Sequence, residues 1–311
     1  MSDQILALVG PTGVGKTALA LELAEQLGAE IVNADSRQVY RYLDIGSAKP
    51  TAAERARVPH HLFDVVDPDE PFDCARYREL ALAAIADIQR RGRRVLVVGG
   101  TGLYVKALRY GLFPGPRRDA ALRRQLEAEE AAAPGTLHRR LSATDPVAAA
   151  HLHPHDRVRL IRALEVQQLT GRPMSTWQAE HGFRHTTVPM LVVGLTLERS
   201  RLRARIAERC RAMVAAGLIE EVRSLWARGY DRSLPILQTI GYREIGAVAA
   251  GETTLDEALG LMIRATCRLA KRQLTWFRAD PTIRWFDAER ERGSVLGALS
   301  STHETLQERL G

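Results

Sequence analysis

An α/β fold, a mostly parallel sheet flanked by helices with an all-helical insertion, is what this 311-residue sequence predicts. Three observations carry the prediction. Apolar runs at 5–9, 95–98 and 190–197 lack alternation, as strands covered on both faces do. Between 116 and 189 no such run occurs, and the residues there favour helix. The first run opens into G-P-T-G-V-G-K-T at 10–17, followed by helix formers, which is the strand–turn–helix setting of a phosphate-binding loop. The core is therefore read as P-loop NTPase-like, built from residues 1–115 and 190–290. Residues 116–189 are the helical insertion, and 291–311 form a polar, mobile tail.

In that loop Gly10, Gly13 and Gly15 accept backbone angles that a Cβ would obstruct. With Pro11, Thr12 and Val14 they make a turn whose N–H groups converge on an anion, reinforced by the helix end behind them. Lys16 would reach an outer phosphate, and the Thr17 hydroxyl would hold Mg²⁺. A chance Gly-rich turn would not place strand and helix in register on either side. A di- or triphosphate ligand is expected, with the reaction left open.

Apolar residues make up 45 % of the chain, which excludes a disordered protein. The net charge of +7 suits a polyanion partner, although an arginine-rich composition alone would give it. Cys74, Cys210 and Cys267 match no metal spacing and read as buried small hydrophobes in a reducing compartment. The chain does not open as a signal peptide does, and no apolar run approaches membrane-spanning length. A soluble cytoplasmic protein is expected.

In chain order, the first helix ends near Gly28, a left-handed cap. A strand over 31–34 then delivers Asp35, Ser36, Arg37 and Gln38 to the carboxyl edge of the sheet, where open parallel sheets bind ligands. Asp35 could bind metal, orient substrate or accept a proton; the competing role is a helix cap or turn. Residues 44–50 (D-I-G-S-A-K-P) and His60–His61 read as loop. Tyr77, Leu80, Ala81, Ala84, Ile85 and Ile88 have helical spacing between Asp73 and Gly92. The strand over 95–98 ends in Gly99, Gly100, Thr101 and Gly102, without the strand-end carboxylate typical of P-loop ATPases. These glycines are read as room for a large flat group, with Thr101 as its hydrogen-bonding neighbour.

Within the insertion, Asp145-Pro146 and Asp156 start helices, the second ending at Gly171. Arg157, Arg159 and Arg162 make that helix basic, as a functional face or a merely solvated one. His151, His153 and His155 alternate in a loop without cysteines or a carboxylate pattern, a poor metal site. After the strand at 190–197, a long helix places Arg205 and Arg209 on one face, where lid arginines close over phosphate. The helix over 255–278 carries Arg264, Arg268, Lys271, Arg272 and Arg278 and ends with Trp276 and Phe277, as RNA contacts or core. A last strand covers 283–286.

Taken together, G-P-T-G-V-G-K-T, N-A-D-S-R-Q-V-Y, D-I-G-S-A-K-P, V-G-G-T-G-L-Y, H-P-H-D-R-V-R-L-I-R-A-L-E and T-I-G-Y-R-E strongly resemble the bacterial tRNA dimethylallyltransferases. The matching segments occur in order over nearly the whole chain; His155, where that family often has Asn, is a small departure. The resemblance implies transfer of a dimethylallyl group from dimethylallyl diphosphate to the exocyclic amine of the adenosine just 3′ of the anticodon. It implies that residues 10–17 hold the diphosphate, with Mg²⁺ at Thr17. Lys16, Thr17 and Arg209 would stabilise the leaving group, and Asp35 would be the general base. It further implies tRNA contacts from Asp35, Ser36, Arg37, Gln38, Thr101, Arg159, Leu160, Ile161, Arg162, Ala163, Gln238, Thr239, Ile240, Gly241, Tyr242 and Arg243. The insertion would grip the anticodon stem, and neither a membrane nor an obligate protein partner is expected. Three rivals stay open: an adenylate isopentenyltransferase, a small-molecule kinase, and an RNA-binding module with a vestigial loop.

Overall fold

The computed structural model describes residues 5–300, which fall into two compact units. The first runs to Arg109 and resumes at Thr187; the second is Tyr110–Thr186. The insertion expected over 116–189 thus begins six residues earlier and ends three residues earlier than the composition shift suggests.

The first unit is built on six parallel strands: β1 (Ile5–Val9), β2 (Ala29–Asn33), β3 (His60–His61), β4 (Arg94–Gly99), β5 (Met190–Thr196) and β6 (Arg284–Asp287). Their order across the sheet is β3-β2-β4-β1-β5-β6. Every residue of β1 is buried, because its neighbours β4 and β5 lie alongside and apolar layers cover both faces. Leu6, Leu8, Leu96, Val193 and Leu195 face one layer, and Ile5, Ala7, Val9, Val97 and Val192 face the other. This alternation is the period of two in a pleated strand.

The helices of the first unit begin with α1 (Lys16–Leu27), closed by Gly28 in the left-handed conformation. Next come α2 (Ala52–Arg57), with a Thr51–Glu54 capping box, and α3 (Cys74–Arg90), capped by Asp73. Then α4 (Gly102–Tyr110) leads into the second unit. That unit holds α5 (Ala120–Ala132), α6 (Thr136–Thr144), α7 (Pro146–His151), α8 (Arg157–Thr170) and α9 (Met174–His181). Its core is Leu126, Leu137, Leu141, Leu160, Ile161 and Leu164 with their neighbours. Back in the first unit follow α10 (Arg199–Ala215), α11 (Leu218–Ala227), α12 (Tyr242–Ala249), α13 (Leu255–Arg278) and α14 (Arg292–Ser300).

Two expectations need correction. His60–His61 is not loop but the edge strand β3, paired with Ile31 and Val32 of β2. The polar tail expected from 291 instead begins as α14. Val295 and Leu299, four apart, are buried against the core, and Arg292 pairs with Glu22 of α1. Residues 301–311 of that tail lie outside the described residues.

Of the buried carboxylates in the second unit, Glu130, Asp145 and Glu165, the last gathers two arginines. Glu165, fully buried on α8, accepts from Arg123 at 2.7 and 2.8 Å, Arg162 at 2.6 Å and the Asp119 amide at 2.9 Å. Burial works against its charge, but these donors outweigh that and hold its pKa at about 2. Its stabilising effect is therefore complete above the ordinary Glu range near 4.5 and is lost as pH falls from there towards 2. E165Q should cost about 3 kcal/mol at neutral pH by leaving buried arginine charge uncompensated. In thermal melts followed by circular dichroism it should also flatten the decline in stability between those pH values.

Candidate active site

Three connections meet at the carboxyl edge of the sheet: those leaving β1, β2 and β4. The loop after β1 turns sharply at Gly10, whose φ is 145° and where a Cβ would lie 2.7 Å from the Leu195 carbonyl oxygen. Helix α1 then starts at Lys16. Lys16 folds back over the loop, its Nζ donating to the carbonyls of Gly10 at 2.9 Å and Pro11 at 2.8 Å. Burial lowers its pKa to about 8; Asp35 pulls the other way and Arg209 adds to the lowering. Thr17, exposed on the first turn of α1, makes no side-chain hydrogen bond among the described residues.

The loop after β2 is held from within. Asn33, 1 % exposed, accepts from the Asp35 N–H at 3.0 Å and donates to the Leu62 carbonyl at 3.0 Å. Asp35 then accepts from the Arg37 N–H at 2.9 Å through Oδ1, leaving Oδ2 without a protein donor among the described residues. The Ser36 N–H donates to the Thr101 hydroxyl at 3.0 Å, and Thr101 N–H donates to the Ala34 carbonyl at 3.1 Å. These bonds tie the β2 loop to the β4 turn. Arg37 donates to the Ile240 carbonyl at 3.0 Å, and Gln38 reaches the carbonyls of Ser47 and Ala48.

On α10, Arg209 is half-buried, and its guanidinium has no hydrogen-bond partner among the described residues. Burial lowers its pKa first, neighbouring Arg37 adds to that, and Asp35 opposes it. Arg205, expected beside it as a second lid arginine, is occupied differently. It donates to the Val14 carbonyl at 3.3 Å and pairs with Glu289 at 2.8 Å. The cations available to a phosphate are thus Lys16 and Arg209, with Arg37 close by.

The loop over 44–50 supports this site from outside. Glu221 of α11 accepts from the N–H groups of Asp44, Ile45 and Gly46 at 2.7–3.0 Å and from the Tyr242 hydroxyl at 2.7 Å. Lys49, its side chain 1 % exposed, donates to the Tyr40 carbonyl, Asp44 and Asp64. The motif D-I-G-S-A-K-P is therefore a strut. Glu221 did not stand out in the sequence, and the motif containing Lys49 did not reveal that lysine's role, because their partners are set by folding.

Several predicted contacts have other work. Leu160, Ile161 and Ala163 are core residues of the second unit, so their side chains cannot meet an external partner. On that helix Arg162 is tied to Glu165 and the Pro116 carbonyl, while Arg159 is 70 % exposed and, among the described residues, pairs with Asp156 alone. Tyr242 is buried, its ring filling the space beside Gly46. Gly241 N–H is capped by Glu244, and Thr239 bonds the Ile236 carbonyl. Gln238 and Arg243 are exposed.

The glycines after β4 also need correction. They do not leave room for an outside group, since the protein fills the space itself. A Cβ on Gly99 would lie 2.2 Å from the Ala34 carbonyl oxygen, on Gly100 2.4 Å from Gln273, and on Gly102 2.0 Å from Trp276. Gln273 was missed because nothing in its local sequence marks it.

Among the described residues no cluster of three or more His, Cys, Asp or Glu side chains could hold a metal ion. Mg²⁺ remains compatible with the site, since it binds through few protein groups and completes its shell with phosphate oxygens and water. The Thr17 hydroxyl, without a hydrogen-bond partner among the described residues, would be such a group.

The comparisons agree with this geometry. The IPP transferase family profile matches residues 38–280, and an isopentenyl transferase profile matches 3–64. The tRNA dimethylallyltransferase of Geobacter metallireducens is 53 % identical over 298 residues, covering 95 % of this chain and 96 % of that protein. A protein of that name from Citrifermentans bemidjiense is 54 % identical over 94 % of this chain and 95 % of its own. Among solved structures, the full-length tRNA isopentenylpyrophosphate transferase of Bacillus halodurans is 40 % identical, with a TM-score of 0.72 and 99 % of both chains covered. A eukaryotic dimethylallyltransferase acting on tRNA superposes with a TM-score of 0.81 at 26 % identity, covering 99 % of this chain and 80 % of that one. With its loop, sheet and site laid out in this way, the chain belongs to the IPP transferase family.

Proposed function

We infer that this chain transfers a dimethylallyl group from dimethylallyl diphosphate to the exocyclic amine of the adenosine 3′ of the anticodon in tRNA, releasing diphosphate. One observation supports it above the others. Asp35 is near enough to Lys16 and Arg209 for its charge to act on both, and among the described residues no ion pair joins them. A carboxylate with a free oxygen and two cations beside a phosphate loop suit a reaction that needs a base and an anionic leaving group together.

As the allylic C–O bond breaks, negative charge grows on the diphosphate. Loop N–H groups, Lys16 and Arg209 would stabilise it, and placing that anion among them relieves their mutual repulsion. Mg²⁺ at Thr17 would add further neutralisation of the diphosphate oxygens. The adenine amine is a weak nucleophile because its lone pair is delocalised into the ring. Asp35 Oδ2 would accept one amine hydrogen and take the proton as the new C–N bond forms. Asn33 holds the Asp35 backbone and the Arg37 N–H fixes its carboxylate for that task. A dimethylallyl cation would also react with water, so the target base must leave its stack and exclude solvent. Exposed Arg159, Gln238, Arg243, Arg268, Lys271 and Arg272 are suited to RNA phosphates.

The direct assay supplies labelled dimethylallyl diphosphate and Mg²⁺ with unmodified tRNA or with AMP. Label should enter tRNA alone; label in AMP alone would reassign the chain to free nucleotides. D35A should lower the transfer rate by about a thousandfold while leaving the Kd for tRNA within about twofold. A matching loss of tRNA affinity would make Asp35 a recognition residue instead.

Lys16 gives a test by pH. As pH rises through about 8 its ammonium loses a proton, so amine reactivity rises while attraction for diphosphate falls. Acylation of Lys16, followed by mass spectrometry, should half-saturate near that pH in the free protein. Bound diphosphate should move the half-point upward.

A further inference from the structure

Gln273 lies on α13 between exposed Arg272 and Lys271 on one side and exposed Thr275 and Trp276 on the other. Its amide is committed to the sheet edge. The oxygen accepts the Thr12 N–H at 2.8 Å, and the nitrogen donates to the Gly100 carbonyl at 2.9 Å. One side chain thus joins the phosphate loop after β1 to the turn after the adjacent strand β4. The amide orientation is fixed by its partners, because a flip would set donor against donor and acceptor against acceptor. Gly100 completes the contact. A Cβ there would come 2.4 Å from the Gln273 nitrogen, yet the Gly100 backbone is not in the left-handed region. Its lack of a side chain is therefore explained by Gln273 and not by backbone strain.

We propose that Gln273 is a positioning residue for the donor site, holding Thr12 against Gly100 and withholding the Thr12 N–H from the bound diphosphate. The anion is then met by the N–H groups of residues 13–17 and by Lys16. A neutral amide suits this place because it supplies a donor and an acceptor without adding negative charge beside the ligand. The inference rests on the reading that the loop binds diphosphate.

The test measures binding of inorganic diphosphate with Mg²⁺ by calorimetry, and steady-state constants for both substrates. The proteins compared are wild type, Q273A, G100A, the double variant and Q273E. Q273A should weaken diphosphate binding about tenfold and raise the KM for dimethylallyl diphosphate to match, with the KM for tRNA unchanged. G100A should reproduce this by displacing the amide, and the double variant should be no worse than either, since one interaction is removed twice. In Q273E the protonated carboxyl can still donate to the Gly100 carbonyl, whereas the ionised form repels it. Donor KM should therefore rise with pH in Q273E more steeply than in wild type. Unaltered diphosphate binding in Q273A and G100A would overturn the proposal. So would fully additive losses, or a loss shared equally by tRNA affinity, which would mark plain fold support. Failure of wild-type protein to bind diphosphate would instead remove the donor-site reading on which the proposal stands.

Discussion

Lys16, Arg37, Arg209 and Asp35 are kept near one another at the sheet edge, and among the described residues they form no ion pairs with each other. Left to relax, such groups would pair and bury their charge. The surrounding structure prevents this by giving three of the four another anchor. Lys16 is folded onto the carbonyls of Gly10 and Pro11, Arg37 onto that of Ile240, and Asp35 onto the Arg37 amide. Arg209 alone has no hydrogen-bond partner among the described residues. The Glu221 cap and the buried Lys49 hold the 44–50 loop, whose Ser47 and Ala48 carbonyls anchor Gln38 next to Arg37.

That architecture divides into parts the sequence announces and parts it does not. Gly28, Asp73, Asp145, Asp156 and Gly171 all act as the caps their neighbourhoods suggest, because a cap is a local device. Strand β3 is two residues long, and its strand character comes from β2, about thirty positions away in the chain. No periodicity can reveal it. Helix α14 escaped for a related reason: Gly293, Ser294 and Gly297 interrupt its apolar pattern, and packing against the core is what makes Val295 and Leu299 buried.

The site shows the same division. Lys16, Thr17, Asp35 and Arg209 have recognisable chemistry in a recognisable place. Asn33, Glu221 and Gln273 act through bonds whose partners are fixed by tertiary structure; Gln273 and Thr12 are separated by 261 positions. The glycines after β4 illustrate the limit well. Glycine shows that something comes close, but not whether it is a ligand or the protein itself. Here it is Ala34, Gln273 and Trp276. Likewise a matched segment such as residues 159–163 mixes one exposed arginine with three core residues, and only burial separates them.

The end of β4 ties these points to the chemistry. A protein that hydrolyses ATP needs its own carboxylate near the metal and a positioned water. A prenyl transfer needs neither: the nucleophile arrives on the RNA, and water is a competitor for the allylic cation. A carboxylate at the end of β4 would add negative charge beside the loop proposed to hold the diphosphate. The chain instead ends β4 in small residues that admit a neutral amide from α13. That amide ties the two turns together, and Asp35, in the loop that follows the next strand over, is the carboxylate that remains at this edge.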